Sequence, residues 1–196
     1  MSDVLIIGTG DHARVIDELA RAAGHSVIGR VEPDSEMLRS RDWLESHRDG
    51  VFVVAIGANE VRRRSFQHCL ELGLTPLALV HPSAVVLEGA TVAPGAQVCA
   101  RALIGVAASI GEDAIVNSMA SVDHDAVIDA HAFIGPGAAL AGRVRVGTGA
   151  HVGIGAVVRE GTIIGAGALV AAGAVVVADV PAGTRVAGVP ARPMDT

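Results

Sequence analysis

From Val86 to Val176 a branched aliphatic residue stands at every sixth position, sixteen times without a break. Two residues before each comes a small side chain, almost always Ala, with Val144 and Thr162 as larger substitutes. A six-residue period drifts around a 3.6-residue helix and holds no single face. It suits short flat strands that turn a corner after each hexad, so that one aliphatic and one small side chain always point inward. Stacked coils of that kind bury a continuous aliphatic column and pair their backbones from coil to coil.

Residues 1 to about 80 have a different texture. Val4 to Ile7 reads as a buried strand, Gly8 to Ala13 as a turn, and Arg14 to Ala23 as an amphipathic helix closed by Gly24. Val27 to Val31 is a second strand. Ser40 to His47 predicts a short helix and Val51 to Ile56 a third strand. A helix capped by Asn59 is expected to reach about Leu72 and close at Gly73. A fourth strand follows at Leu77 to Val80. Alternating strands and helices predict a small Rossmann-like parallel α/β domain over 1–80, and the hexads an all-β coil over 81–196.

The net charge of −6 leaves no basic footprint for nucleic acid, and no Lys/Arg cluster suits an anionic membrane. Aromatics make up only 2%, so sugar recognition has to rely on hydrogen bonds. Cys69 and Cys99 lie far apart and form no CxxC motif, which fits a reducing cytoplasm and no metal site. Asp3 and the turn at Gly8 interrupt any signal-peptide core. Gly161 to Ala178 carries no charge over a length that would span a bilayer, but it keeps the hexad phase and four glycines, so it is read as coil.

The first turn, Gly8-x-Gly10-x-x-Ala13, with Glu32 after the second strand, has the outline of a dinucleotide fingerprint. Glycines let the backbone approach phosphate, a helix N-terminus favours the anion, and an acidic side chain accepts ribose hydroxyls. A nicotinamide cofactor would need a second mononucleotide half, and the repeat begins before one fits.

The hexads resemble those of the hexapeptide acyltransferases, which implies a left-handed parallel β-helix of eighteen residues per turn. The glycine-rich turn carrying His12, the run Ala55 to Arg62 and the segment Asn117 to Ile128 narrow the resemblance. They are similar to the bacterial hexapeptide-repeat sugar acetyltransferases of the UDP-4-amino-sugar, GDP-perosamine and sialic acid types. The resemblance implies that the N-terminal domain holds a nucleotide sugar, with Gly10, Asp11 and His12 at the sugar–phosphate, Glu32 and Pro33 near the nucleoside, and Gly57 against the substrate.

His124 lies two residues after an inward Val and is flanked by Asp123 and Asp125, so its ring points outward at a corner with a carboxylate beside it. A carboxylate on one ring nitrogen fixes the tautomer and raises the basicity of the other. By the resemblance, His124 is the general base, Asp125 its partner, and Asn117 orients the amine or a water. Relatives place a His where Phe133 stands, at the acetyl-CoA thioester. Either His131 substitutes from a nearby corner or a backbone N–H carries that role alone. His151 faces outward, toward a subunit contact or the CoA groove. Gly142, eighteen residues after His124, stacks one coil above it and offers a backbone N–H to the thioester oxygen. The resemblance also assigns Ile154 and Ala172 to the CoA groove, and Arg192, with Arg185, to the CoA phosphates.

The expected activity is acetyl transfer from acetyl-CoA to an amino group of a nucleotide-linked sugar by a cytoplasmic homotrimer. The alternatives are transfer to a sugar hydroxyl, as in sialic acid O-acetylation, and a non-catalytic nucleotide-sugar-binding trimer.

Overall fold

The computed structural model describes residues 2–40 and 50–194. The first sheet has the parallel order β2-β1-β3-β4, formed by β1 (Asp3–Ile7), β2 (Ser26–Val31), β3 (Val51–Val54) and β4 (Thr75–Pro76). Helix α1 (Asp11–Ala22) lays Ala13, Ile16, Leu19 and Ala20 against one face with Val4, Ile6 and Val53. Helix α3 (Asn59–Glu71) covers the other face, where Phe66 and Cys69 pack with Leu5, Ile7, Phe52 and Val54. A short helix, α2 (Glu36–Arg39), follows β2. The helix expected from Ser40 to His47 lies, beyond Ser40, outside the described residues.

Of the strand expected at Leu77 to Val80 only Leu79–Val80 forms. Thr75–Pro76 closes the first sheet, whereas Leu79–Val80 pairs with Gln97–Val98 and starts the solenoid. From there two-residue strands stack into three parallel sheets, and up to Val176 each pairs with the strand eighteen residues further on; in the last turn Leu169 meets Arg185 instead, and Arg192–Pro193 adds antiparallel. Ser121 meets Ala139, Ile115 meets Phe133, and Ser109 meets Val127. The uncharged stretch from Gly161 belongs to these coils, through Ile163–Ile164, Leu169–Val170 and Val175–Val176. No described helix is long and apolar enough to cross a membrane.

The inward column is buried from Ala96 to Val186. Its first aliphatic is not: Val86 is 40% exposed, because no coil lies beneath the opening turn to cover it. Each coil turns through a left-handed residue, and every sixth position from Gly89 to Gly173 has positive φ. L side chains strain there by roughly 1–2 kcal/mol. Seven of these corners nevertheless carry side chains, among them Asp113, Asp125 and His131. Strain accepted at such positions commonly marks residues whose side chains are needed.

Arg62 joins the two parts of the chain. It is fully buried. Its Nε donates to the Asp113 carbonyl at 3.0 Å and to Asp113 Oδ2 at 3.2 Å, and its Nη2 donates to the His131 carbonyl at 2.6 Å. Nη1 donates back to the Ile56 carbonyl at 3.2 Å and to Asn59 Oδ1 at 3.0 Å. Asn59 therefore does not cap α3 with its side chain. Its amide instead donates to the Gly149 and Ala150 carbonyls of the solenoid. Phe66 packs over the bare α-carbon of Gly95, where an added Cβ would meet the ring at 2.4 Å.

Burial pushes the Asp113 carboxyl up and the Arg62 guanidinium down, and the pairing of the two works against both shifts. Removing one partner leaves a buried charge alone, which costs about 3–5 kcal/mol. Denaturant unfolding of Arg62→Met is expected to show a loss of that size, and Arg62→Met/Asp113→Asn should recover part of it.

Candidate active site

His124 sits at the corner between the strands Ser121–Val122 and Val127–Ile128. The Asp123 carboxylate accepts from its backbone N–H at 2.7 Å. Asp125, at a left-handed corner position, swings its carboxylate back to His124 Nδ1 at 2.8 Å. That hydrogen bond holds the imidazole pKa above its ordinary value. The ring stays open to solvent, with 43% of the side chain exposed.

One coil on, Gly142 faces the ring. An added Cβ there would lie 2.3 Å from Nε2, so the imidazole occupies the space that a side chain at 142 would fill. The Arg143 N–H donates to the His124 carbonyl at 2.8 Å and locks the stacking. The neighbouring Gly142 N–H has no partner among the described residues.

The face running up to this corner presents Ser121, Ala139 and Val157 outward. A cavity of about 300 Å³ lies on it, lined also by Asp123 and Ala141. Ile154 and Ala172 stack along the opposite edge of the same face, where the Gly173 N–H bonds the Ile154 carbonyl. Gly142 thus stands on one edge of the face that holds this shallow groove, and Ile154 and Ala172 on the other, although none of the three lines the cavity itself. Asn117 belongs to the far edge as well. Its Oδ1 accepts from the Ser118 N–H at 2.8 Å, and within one chain the strand Ser121–Val122 separates it from His124.

His131 does not lie at this groove. Its ring is buried beneath α3, with Nδ1 2.9 Å from Asp113 Oδ2 and an edge-on contact to Phe66 at 5.7 Å. The reading of His131 as a stand-in at the thioester is therefore corrected: it is part of the domain joint. His124 and His131 stand at different places in the hexad, two and three residues after the aliphatic, and the second place is the left-handed corner. Phe133 projects from a different face, stacked on His151 at 4.6 Å. Arg185 and Arg192 are exposed on the last strands of the solenoid, in the same sheet as Phe133.

In the N-terminal domain a cavity of about 440 Å³ collects Gly10, Asp11, His12, Glu32, Pro33 and Gly57. The Thr9 hydroxyl donates to Glu32 at its rim. Gly8, with φ +121°, lies so close to β3 that a Cβ would meet the Ala55 carbonyl oxygen at 2.9 Å. A second cavity, of about 540 Å³, opens between α1 and the solenoid and has Asp11, Arg14, His81 and Ser118 on its walls. Asp11 lines both.

Gln97 was not anticipated. It is fully buried and bridges the solenoid to the cavity wall, as are Arg62 and Asp113 at the joint. The only sequence signal was a polar or charged residue in an otherwise apolar or small-residue setting. Burial pushes the Cys69 and Cys99 thiols up to about 12, so neither is a thiolate nucleophile near neutral pH.

Comparison with known proteins places the chain in a family. The family model described as the PglD N-terminal domain matches residues 3–69. Among curated sequences none matches significantly. A histidine variant of GDP-perosamine N-acetyltransferase from Caulobacter crescentus, solved with CoA and GDP-perosamine, is 34% identical. The match covers 100% of this chain and 98% of that one, with a TM-score of 0.91. The acetyltransferase domain of PglB from Neisseria gonorrhoeae is also 34% identical, over 99% and 100%, with a TM-score of 0.90. WeeI from Acinetobacter baumannii shares the fold at 24% identity over 99% and 100%, with a TM-score of 0.82. These matches over the full chain at 34% identity place the protein in the class of sugar acetyltransferases. The chain belongs to the bacterial hexapeptide-repeat sugar acetyltransferase family.

The space over Gly142 yields a selective test. Its φ is not in the left-handed region, so alanine fits the backbone, and the His124 ring must move away. A displacement of about 1 Å at a reacting group costs on the order of a hundredfold in rate. Gly142→Ala is expected to lose about that much kcat in acetyl-transfer assays while its melting temperature stays near wild type.

Proposed function

We propose that the protein transfers the acetyl group of acetyl-CoA directly to an amino group of a nucleotide-linked sugar. The observation that carries this reading is the His124–Asp125 pair, open to solvent beside the unpartnered N–H of Gly142. The complexes of the Caulobacter relative with CoA and GDP-perosamine support both substrate classes, and a PglB domain complex with acetyl coenzyme A supports the donor.

An ammonium group has no lone pair to attack with, so its proton must leave. That first proton is released to solvent; as the neutral amine attacks, His124 Nε2 takes a second proton from the nitrogen, and Asp125 stabilises the imidazolium that forms. The amine nitrogen bonds to the thioester carbon, and the carbonyl electrons move onto oxygen. The Gly142 N–H is placed to donate to that oxyanion. Collapse breaks the carbon–sulfur bond, and the imidazolium returns a proton to the departing CoA sulfur. The products are an amide and free CoA, with no acyl-enzyme and no metal. Much of the acceleration comes from holding two large substrates together.

The nucleotide is assigned to the cavity at Gly10, His12, Glu32 and Gly57. Its sugar passes Asp11 into the cavity that reaches Ser118, the neighbour of Asn117. His124 stands at the other edge of that face, so the site is completed by the His124 corner of an adjacent copy. We therefore read the assembly as a homotrimer with active sites between neighbouring coils, working in the cytoplasm. Phe133 and Arg192 lie on a face available to CoA bound by such a neighbour.

Two measurements follow. His124→Ala should lose about a hundredfold to ten-thousandfold in kcat with CoA binding retained. Its acetylated product should survive mild alkali as an amide, whereas an alkali-labile product would show a hydroxyl acceptor. Turnover within a few-fold of wild type would remove His124 as the base. Because Asp125 raises the imidazole pKa, Asp125→Asn should move the acidic limb of the kcat/KM profile to lower pH while the maximal rate falls.

A further inference from the structure

His12 lies on the wall of the nucleotide cavity, and what it can recognise depends on which ring nitrogen carries the proton. A buried glutamine settles this. Gln97 reaches from the solenoid into the N-terminal domain, where its Nε2 donates to the Val54 carbonyl at 2.7 Å. A carbonyl only accepts, so the amide nitrogen must face it and Oε1 must face the other way. That oxygen lies 3.2 Å from His12 Nε2. A flipped amide would set its oxygen against the Val54 carbonyl oxygen, acceptor against acceptor. His12 Nε2 therefore carries a hydrogen and donates it to Gln97. Nδ1 has no partner among the described residues, and it is not one of the buried unpartnered atoms, so it can be reached.

We propose that Gln97 is a positioning residue that fixes the His12 tautomer, so that His12 presents a bare Nδ1 to a hydroxyl group of the bound nucleotide sugar. This rests on the nucleotide-sugar reading above and changes the partner expected for His12. An ionised diphosphate has no hydrogen to give and would face the Nδ1 lone pair. The backbone N–H groups of Asp11 and His12, at the start of α1, have no partner among the described residues and suit the phosphate instead. Burial first, and the Arg62 charge as well, push the His12 pKa down and favour the neutral ring, whereas the Gln97 hydrogen bond pushes it up. Asp11 adjoins His12, and Glu32 lies on the same cavity wall, where it is engaged by Thr9.

Imidazole nitrogen NMR on histidine-labelled protein tests this. Near neutral pH the unliganded protein should show His12 neutral, with hydrogen on Nε2 and none on Nδ1. Hydrogen on Nδ1, or a charged ring, would overturn the inference whatever the enzyme's substrate. GDP and UDP are then compared with their amino-sugar conjugates. A hydrogen-bond shift at Nδ1 without protonation supports the inference: with the nucleotide alone it identifies a ribose hydroxyl, and only with the conjugate a sugar hydroxyl. Protonation of Nδ1 by either nucleotide would mean a phosphate contact and would contradict it. So would an unmoved Nδ1 with a conjugate that is turned over. Gln97→Leu should lose the tautomer bias and raise KM for the nucleotide sugar about tenfold, with KM for acetyl-CoA unchanged. Should Gln97→Leu fail to fold, the wild-type tautomer measurement decides alone. Failure of every conjugate to be acetylated would count against the proposed reaction and leave the tautomer result standing.

Discussion

The pairing of each residue with the one eighteen positions later is the constraint on which everything else rests. It makes the backbone of one coil the floor of the next, so a side chain at a corner meets the same corner of its neighbour. His124 faces Gly142 by this rule, and Asp113 meets His131 by the same rule. An imidazole needs a flat, open floor to lie over, and a glycine supplies it. A carboxylate needs a donor to stay buried, and a histidine one coil above supplies it. One register thus creates an open corner for chemistry and a closed corner for joining the domains.

The joint matters because the candidate site residues are divided between the two parts of the chain. The N-terminal cavity is built from loops at the ends of β1, β2 and β3, whereas His124 stands on the solenoid. Arg62 holds the Ile56 carbonyl on one side and the Asp113 and His131 corners on the other. Gln97 does the same between Val54 and His12. Two buried polar tethers, Arg62 bonded through all three of its nitrogens and Gln97 through both ends of its amide, set the orientation more sharply than apolar contact alone, which tolerates sliding.

The solenoid was legible because its signal is periodic: sixteen aliphatics in phase leave little freedom for the backbone. The His124–Asp125 pair was legible for a local reason, since two adjacent residues at an outward corner meet without help from the rest of the fold. Gly10 and Glu32 stood out through the outline of a dinucleotide fingerprint, whereas Asp11, His12 and Gly57 came from the family resemblance. What escaped was long-range. Outward hexad positions read as solvent-facing, and nothing local reveals that the N-terminal domain covers Gln97, Asp113 and His131. Arg62 looked like one of three ordinary helix arginines, although its neighbours Arg63 and Arg64 are exposed to solvent and it is not. The phase also overstated the core at its beginning, where Val86 has no coil below it.

The central claim is that the donor's thioester meets His124 over Gly142, in the groove bordered on its far side by Ile154 and Ala172. A crystal structure of the protein with CoA tests it most directly. The account predicts the CoA sulfur within hydrogen-bonding reach of the His124 imidazole and the Gly142 N–H, with the pantetheine along that groove. CoA bound elsewhere, with its sulfur remote from every His124 in the assembly, would contradict it.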